Sequence, residues 1–291
     1  MITVDVVCPL YHAENFIDKL ICGFKMQQAV ILDNVIFAVT EDGDTTEIKN
    51  KISENGYSYF SIKKEDFSHS LTREKAILDY CKNDIVIMIS QDVNIVNENS
   101  FYELAKNVDD SVVYVYGRQI CRKKTIEYYV RKKNYGNENE FVSLKDVEKL
   151  QLKTFFASDA FSAYYRPAFI KLNGYDNIHM MMNEDMYYAK KIIELGYTKG
   201  YIATAVVEHS HKLKLKQLYN RYYQTGIWFK EHSEFNNYKT TDTGLKLALY
   251  VLGQALIHFN IPVLLRWLPD MTARYVGMKK GKKLLKGNNL E

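Results

Sequence analysis

The hydrophobic residues in the first half of the chain follow two alternating patterns. Short, mostly apolar runs such as TVDVVCP at residues 3–9 and IVIMI at residues 85–89 are typical of buried strands. Between these runs lie segments with apolar residues at helical spacing, for example Phe16, Leu20 and Phe24. This alternation predicts an α/β fold, in which helices cover both faces of a mainly parallel, Rossmann-like sheet. The predicted strands are residues 3–9, 35–39, 57–62, 85–89 and 201–208, the predicted helices are residues 13–24, 48–55, 70–81 and 183–196, and residues 141–159 are predicted as a helix leading into a strand-like run.

Polar and acidic side chains follow three of the predicted strands. Residues 9–15 follow the first strand, the acidic turn at residues 41–44 follows the second, and Asp92 follows the fourth. In open α/β sheets, ligands bind beyond the carboxyl ends of the parallel strands. Asp92 by itself could equally cap the next helix. Because three strand ends agree, we predict a ligand site at this edge of the sheet.

Charge is distributed unevenly along the chain. The net charge is +4, but residues 244–291 carry eight basic and two acidic residues, so this segment has a net charge of +6 and the remainder −2. We therefore expect a main domain at residues 1–232 and a helical, basic C-terminal extension at residues 233–291. Such an extension either contacts an anionic surface or remains a solvated tail.

The C-terminal extension contains a long stretch without charged residues. Residues 247–265 approach the length of a membrane span, but this stretch includes Gly, Gln, His, Asn and Pro. A helical pair that packs on the domain or lies in the membrane interface fits this composition better. Trp267 and the lysines within residues 279–283 suit attachment to anionic lipid.

Two further features bear on the cellular compartment and on partners. The four cysteines are scattered without C-x-x-C spacing, and residues 1–10 have no secretory pattern, so we expect reduced thiols in a cytosolic protein. The basic run at residues 118–133 lacks any recognised nucleic-acid motif. A solvated face or a contact to a pyrophosphate-linked acceptor explains this run better than nucleic acid does.

Seven short motifs along the chain together resemble family 2 glycosyltransferases of the GT-A fold, most closely the bacterial rhamnosyltransferase branch. In order, they are CPLYHAEN, TEDGDTT, FSHSLTREKA, SQDV, GRQ, NEDMYYAKK and VVEHSH, and the similarity covers residues 3–229. The resemblance implies an inverting enzyme that moves a sugar from a nucleotide-sugar donor to a saccharide or lipid-linked acceptor of a bacterial surface polysaccharide. The donor that the resemblance favours is dTDP-L-rhamnose. It would work on the cytoplasmic side, peripherally at the inner face of the cell membrane. A UDP-hexose donor and a non-catalytic nucleotide-sugar-binding subunit are the alternatives.

The resemblance also implies roles for individual residues. Asp92 of SQDV stands where the family usually has a D-x-D motif, and would bind a divalent cation, Mg²⁺ or Mn²⁺, that bridges the donor phosphates. Asp185 matches the catalytic base, with Glu184 as the alternative. His209 or His211 matches a metal or phosphate contact. Substrate contacts are expected at Pro9, Tyr11, Glu41, Asp42, His69, Arg73, Gln91, Arg118 and Gln119, with Glu41 and Asp42 at the nucleoside and Arg73 at the phosphates.

The residue types suit this chemistry. A single carboxylate such as Asp92 makes a weak metal site, so we expect the metal and the donor to bind together. A carboxylate at a helix start, such as Asp185, can take the proton of the attacking hydroxyl, although it could also simply favour that helix start. Arg73 could instead be a surface arginine, and His69 could equally be a core histidine. His209 and His211 lie two positions apart in an extended segment, and His209 is favoured because it is nearer to the strand end.

Overall fold

The computed structural model describes residues 1–210, 213–239 and 241–283. His211, one of the two predicted histidine contacts, lies outside the described residues. The strands are β1 (Ile2–Leu10), β2 (Val30–Glu41), β3 (Ser58–Lys63), β4 (Ile85–Ile89), β5 (Asn94–Ile95), β6 (Val112–Ile120), β7 (Glu140–Val142), β8 (Phe161–Tyr165) and β9 (Thr198–Glu208). The helices are α1 (Ile17–Lys25), α2 (Thr46–Glu54), α3 (His69–Lys75), α4 (Ser100–Ala105), α5 (Ile126–Asn134), α6 (Val147–Leu150), α7 (Arg166–Lys171), α8 (Glu184–Glu194), α9 (Leu215–Glu231), α10 (Thr241–Ile257) and α11 (Ile261–Lys283).

The strands of the described residues form one nine-stranded sheet in the order β3-β2-β1-β4-β8-β6-β9-β5, with β7 also paired to β9. The pairs β1–β2, β1–β4, β2–β3 and β6–β9 are parallel. β8 lies antiparallel between β4 and β6, so β6 and β9 run in the same direction as the first four strands. The predicted α/β fold with a mainly parallel sheet is therefore confirmed.

The apolar runs of the sequence form the core of the sheet. β4 is buried along Val86–Ile89, and the apolar stripe of α1 packs on β2 through Phe24 and Phe37, whose ring centroids lie 6.0 Å apart. Phe101 of α4 extends this contact, with its ring centroid 5.9 Å from that of Phe24. These buried side chains form the apolar core, and the polar groups lie in the loops at the strand ends.

Three predicted helices differ from the structure, and one of them, expected at residues 13–24, begins only at Ile17. The helix expected at residues 141–159 is wrong, because residues 140–142 pair with β9 as strand β7 and only short helical turns follow. Ser143 and Asp146 form a capping box that starts one such turn, and Gln151 adopts a positive φ of 53° that interrupts it. The helix expected at residues 70–81 begins one residue earlier, as α3, and continues as a π-helical turn at Ala76–Tyr80.

The chain divides into two compact units. The first consists of residues 1–121 and 135–210, and the second of residues 122–134 with the described part of 211–291. In the second unit α9 and α11 pack backbone to backbone, since a Cβ atom on Gly277 would lie only 2.6 Å from the carbonyl oxygen of Tyr219. No helix in the described part of the chain is both long and apolar enough to cross a membrane. The predicted domain boundary after residue 232 remains a prediction.

Candidate active site

The segments that follow β1 and β4 are tied together by one side-chain amide. The main-chain N–H of Tyr11 donates to Oε1 of Gln91 at 2.7 Å, and Nε2 of Gln91 donates to the carbonyl of Tyr11 at 2.8 Å. This paired contact holds two strand ends in a fixed register, as the parallel sheet predicts. Pro9, by contrast, lies within β1, opposite Ala38 of β2.

Asp42, just after β2, is surrounded by hydrogen-bond donors. Its Oδ2 atom accepts from the hydroxyl of Tyr11 at 2.6 Å and from Nζ of Lys64 at 2.9 Å, and Nε2 of His12 lies 3.2 Å away. The hydrogen bond from Tyr11, followed by that from Lys64, lowers the pKa of Asp42 to about 2. The structure therefore brings Tyr11, Asp42 and Gln91 together at the predicted edge of the sheet.

The neighbouring Glu41 points to a different partner. It accepts a hydrogen bond from Nζ of Lys49 at 2.7 Å, and this bond is the main cause of the lowered pKa of Glu41. Glu41 and Asp42 are thus both anionic groups next to lysines, but they do not share a contact.

Asp92 and His209 face each other across the ends of β4 and β9. Nε2 of His209 lies 3.3 Å from Oδ1 of Asp92. On the other side of the ring, Nδ1 of His209 lies 2.8 Å from Oε1 of Gln119, and Nε2 of Gln119 donates to Oγ of Ser158 at 2.7 Å. The sheet thus brings together three residues that the sequence analysis proposed separately.

The hydrogen bonds of Gln119 determine which nitrogen of His209 carries a proton. Since Gln119 uses its amide N–H on Ser158, its Oε1 must accept from Nδ1–H of His209. In the neutral form of the ring, the lone pair of Nε2 would then point toward Asp92. A lone pair and a carboxylate oxygen at this separation fit a cation between them, which is the arrangement expected of metal ligands supported by a second layer of hydrogen bonds. Groups of three or more His, Cys, Asp or Glu side chains suited to a metal are absent from the described residues.

Arg73 is buried rather than exposed on the surface. Only 3% of the residue is accessible, and Nη1 forms an ion pair with Glu184. Its Nε atom lies 4.0 Å from Oδ2 of Asp159, and Nη1 lies 3.1 Å from Nδ1 of His69. The guanidinium is therefore shared among buried carboxylates, and His69 lies against it.

Asp185 lies at the first turn of α8, beside this buried ion pair. Asn183, in the left-handed region with φ of 59°, precedes the helix. The main-chain N–H of Asp159 donates to Oδ2 of Asp185 at 3.3 Å. Burial raises the pKa of Asp185 well above its ordinary value, and the negative charges of Glu184 and Asp159 add to this effect. Burial also raises the pKa of Glu184 to about 7, against the opposing charge of Arg73.

Asp159 is a buried carboxylate that the sequence analysis did not single out. Its two oxygens accept hydrogen bonds from four hydroxyl groups: Tyr114 at 2.8 Å, Ser162 at 2.7 Å, Tyr164 at 2.7 Å and Tyr175 at 3.1 Å. Ser162 and Tyr164 lie two residues apart on β8, so their side chains point to the same face of the sheet. The spacing of Ser162 and Tyr164 in the segment SDAFSAYY is the sequence signal that could have indicated a polar network at this position.

Arg118 completes the predicted set. It precedes Gln119 on β6, and its positive charge opposes the burial that raises the pKa of Tyr201 on β9. Within the GRQ motif, Gln119 is the residue that the structure places against His209.

Comparison with known proteins identifies the family. No family model matches the chain. It is 31% identical over 229 residues to the O-antigen chain rhamnosyltransferase RfbN of Salmonella typhimurium, a match that covers 77% of this chain and 72% of that protein. It is 32% identical over 193 residues to the O-antigen chain rhamnosyltransferase WbaN of Salmonella anatum, a match that covers 65% of this chain and 61% of that protein.

Solved structures agree on the fold. The mannosyltransferase PcManGT from Pyrobaculum calidifontis, determined with GDP-Man and Mn²⁺, superposes with a TM-score of 0.61 over 96% of this chain and 86% of that one. At 12% identity this similarity shows the fold alone, which is GT-A. The described geometry, the fold and the sequence identity lead to one assignment. The chain belongs to the family 2 glycosyltransferases of the GT-A fold, among which the bacterial O-antigen rhamnosyltransferases are its relatives.

Proposed function

We propose that this glycosyltransferase moves L-rhamnose from dTDP-L-rhamnose to a saccharide or lipid-linked acceptor during the synthesis of a bacterial surface polysaccharide. The observation that carries the proposal is the 31% identity to an O-antigen chain rhamnosyltransferase over 72% of its length. The acceptor lies at the cytoplasmic face of the cell membrane, where the protein acts peripherally.

Asp92 and His209 are the residues that would hold a divalent cation, Mg²⁺ or Mn²⁺. The Nε2 atom that faces the Asp92 carboxylate supports this assignment. When bound, the cation supplies positive charge to the diphosphate as it leaves. Two protein ligands leave room for phosphate oxygens, so the affinity for metal and the affinity for donor should depend on each other.

The edge formed by Tyr11, Asp42 and Gln91 would bind the nucleoside of the donor. All three described contacts of Asp42 use Oδ2. Its Oδ1 atom is thus placed to accept from an N–H of the base or from a ribose hydroxyl. Lys64 and Tyr11 keep the carboxylate ionised and oriented for that contact.

Asp185 is the residue that would take the proton of the acceptor hydroxyl. In an inverting displacement the hydroxyl oxygen bonds to the anomeric carbon, the bond to the diphosphate breaks, and the proton passes to the base. Glu184 suits this role less well because it is engaged in an ion pair with Arg73. The raised pKa of Asp185 makes its carboxylate a stronger base once it is deprotonated.

Asp159 would position this base without contacting the substrate. It holds Asp185 through its main-chain N–H and attracts Arg73, which in turn holds Glu184. Four hydroxyl donors fix the Asp159 carboxylate itself. The buried position of Arg73 supports a role in this network, and its contact to phosphate stays a prediction.

Calorimetric titration tests the proposal directly. dTDP-L-rhamnose and UDP-glucose are each titrated into the full chain with Mn²⁺ and, separately, with EDTA. Metal-dependent binding that favours dTDP-L-rhamnose supports the proposal. Preference for UDP-glucose would assign a UDP-hexose donor instead, and binding of neither donor would favour a non-catalytic subunit or a different donor.

A further inference from the structure

A large share of the exposed apolar side chains lies on the hairpin formed by α10 and α11. Among the described residues, 21 large hydrophobic side chains are exposed, and nine of them lie between residues 245 and 275. Phe259 is 84% exposed and Leu265 is 77% exposed. Soluble proteins rarely leave so many apolar side chains together in water unless a partner covers them.

The exposed residues lie on one side of each helix. Residues three, four or seven positions apart share a helix face. The exposed apolar residues stand at positions 245, 249 and 256 of α10 and at positions 261, 265, 268 and 275 of α11. We call these seven residues, together with Ile257 and Phe259 at the tip of the hairpin, the outer apolar face.

The opposite sides of the two helices are packed within the second unit. Val251, Ala255 and Val263 are buried in a cluster with Ile126 and Tyr129 of α5. The inner sides of the two helices therefore pack on α5, and the outer apolar face is exposed to solvent.

Two polar contacts keep the hairpin in this orientation. Nδ2 of Asn260, in the turn, donates to the carbonyl of Lys124 at 2.7 Å. Nε1 of Trp267 donates to the carbonyl of Ala248 at 2.9 Å, which joins α11 to α10. Trp267 therefore connects the two helices. Within the outer apolar face, Phe259 and Leu265 are the most exposed side chains.

The charges beside the outer apolar face are almost entirely positive. Residues 244–283 contain seven basic residues and one acidic residue, Asp270. Asp270 is buried, and its carboxylate is paired with Arg274 at 2.6 Å and with Arg266 at 3.7 Å. Four lysines follow the exposed apolar residues of α11, at positions 279, 280, 282 and 283. This segment, all of it described, therefore combines exposed apolar groups and cations without an exposed carboxylate.

We propose that the outer apolar face, together with the lysines at positions 279–283, docks onto a bilayer that contains anionic lipids. The apolar side chains would enter the boundary between headgroups and acyl chains, and the lysines would contact headgroup phosphates. A second copy of this chain suits the surface less well, because symmetric pairing offers the lysines no carboxylate from this segment. The benefit of docking, access to a lipid-linked acceptor, rests on the proposed function.

Flotation with lipid vesicles tests the proposal. The full chain is mixed with vesicles of phosphatidylcholine alone or of phosphatidylcholine and phosphatidylglycerol in equal parts. We expect binding to the anionic vesicles that weakens as salt is added. Phe259→Ser combined with Leu265→Ser should lower that affinity by roughly tenfold for each side chain. The matched control combines Leu195→Ser with Ile170→Ser, two exposed apolar residues of the first unit, and should bind like the wild type.

Three results would overturn the proposal. The first is no binding of the wild type to anionic vesicles, and the second is equal binding of the wild type and the Phe259/Leu265 variant. The third is a lipid-free dimer that this variant loses, which would assign the face to a second copy. Donor titration with the same variant separates this proposal from the proposed function, since its donor affinity should match that of the wild type whether or not docking fails.

Discussion

Nε2 of His209 lies 3.3 Å from Oδ1 of Asp92, and the two residues come from the ends of different strands. Their approach is produced by the parallel arrangement of β4, β6 and β9, with β8 between β4 and β6. Gln119 on β6 then orients the histidine ring through Nδ1. The proposed metal site depends on three strands at once, and each of the three residues can be tested separately.

Replacement of either facing residue should weaken metal-dependent donor binding. In Asp92→Ala and His209→Ala we expect the gain in donor affinity on addition of Mn²⁺ to fall by at least about tenfold, because each variant removes one of two protein ligands. Calorimetric titration with and without Mn²⁺ measures this gain. Asp79→Ala, which removes an exposed carboxylate paired with Lys75, is the matched control. An unchanged metal effect in both site variants would place the metal elsewhere.

Gln119 should matter through the tautomer of His209. Gln119→Leu removes the acceptor for Nδ1–H, and we expect roughly a tenfold loss of Mn²⁺ affinity in the presence of donor. Gln119→Glu keeps an acceptor at the same position and should retain most of that affinity. Similar losses in the two variants would show that the tautomer of His209 is unimportant.

Asp42 should contribute to donor binding independently of the metal. Asp42→Asn removes the charge that Tyr11 and Lys64 now hold, and we expect roughly a tenfold weaker affinity for dTDP in EDTA. Asp44→Asn is a close control, since Asp44 belongs to the same turn and accepts from the main-chain N–H of Thr46. Equal affinity in wild type and Asp42→Asn would remove Asp42 from the nucleoside site.

Asp159 should influence the pH dependence of transfer. Burial is the largest cause of the raised pKa of Asp185; the charges of Glu184 and Asp159 raise it further, and the N–H of Met186 and the charge of Arg73 lower it. Asp159→Asn removes a negative charge, so protonation of Asp185 should require a lower pH. The acidic limb of the kcat/KM profile should therefore move to lower pH, because the base must be deprotonated to act.

The control for this experiment keeps the charge of Asp159. Ser162→Ala removes one hydroxyl donor but leaves the carboxylate in place, and its acidic limb should move little. A limb that stays in place in Asp159→Asn, in an enzyme that still binds donor, would show that Asp159 has no electrostatic effect on the base.

The sequence predicted the fold well where the physical signal was local. The apolar run at residues 85–89 coincides with β4, and the polar groups after the strands do meet at one edge, as the contact between Tyr11 and Gln91 shows. Periodicity misjudged residues 141–159, because strand pairing of residues 140–142 with β9 and the positive φ of Gln151 are not encoded in apolar spacing. The structure of that region is set by its pairing with β9, which is distant in the sequence.

The environment of the predicted base depended on long-range packing and was not predictable. The family resemblance indicated Asp185 as the base and Glu184 as the alternative, both at a helix start. Only the fold brings Arg73, more than a hundred positions earlier, into an ion pair with Glu184 and the main chain of Asp159 to Asp185. The ion pair with Arg73, which distinguishes Glu184 from Asp185, is a property of the folded chain.

The most direct test of Asp185 as the base is the rate of sugar transfer by Asp185→Asn, measured together with its donor affinity. We expect donor affinity close to that of the wild type and a loss of turnover on the order of 10²- to 10⁴-fold, because an amide cannot take the proton of the acceptor hydroxyl. The substrate pair is dTDP-L-rhamnose and a saccharide acceptor that the wild type uses. Turnover within a few-fold of the wild type would contradict the assignment of Asp185 as the base and, with it, the proposed mechanism.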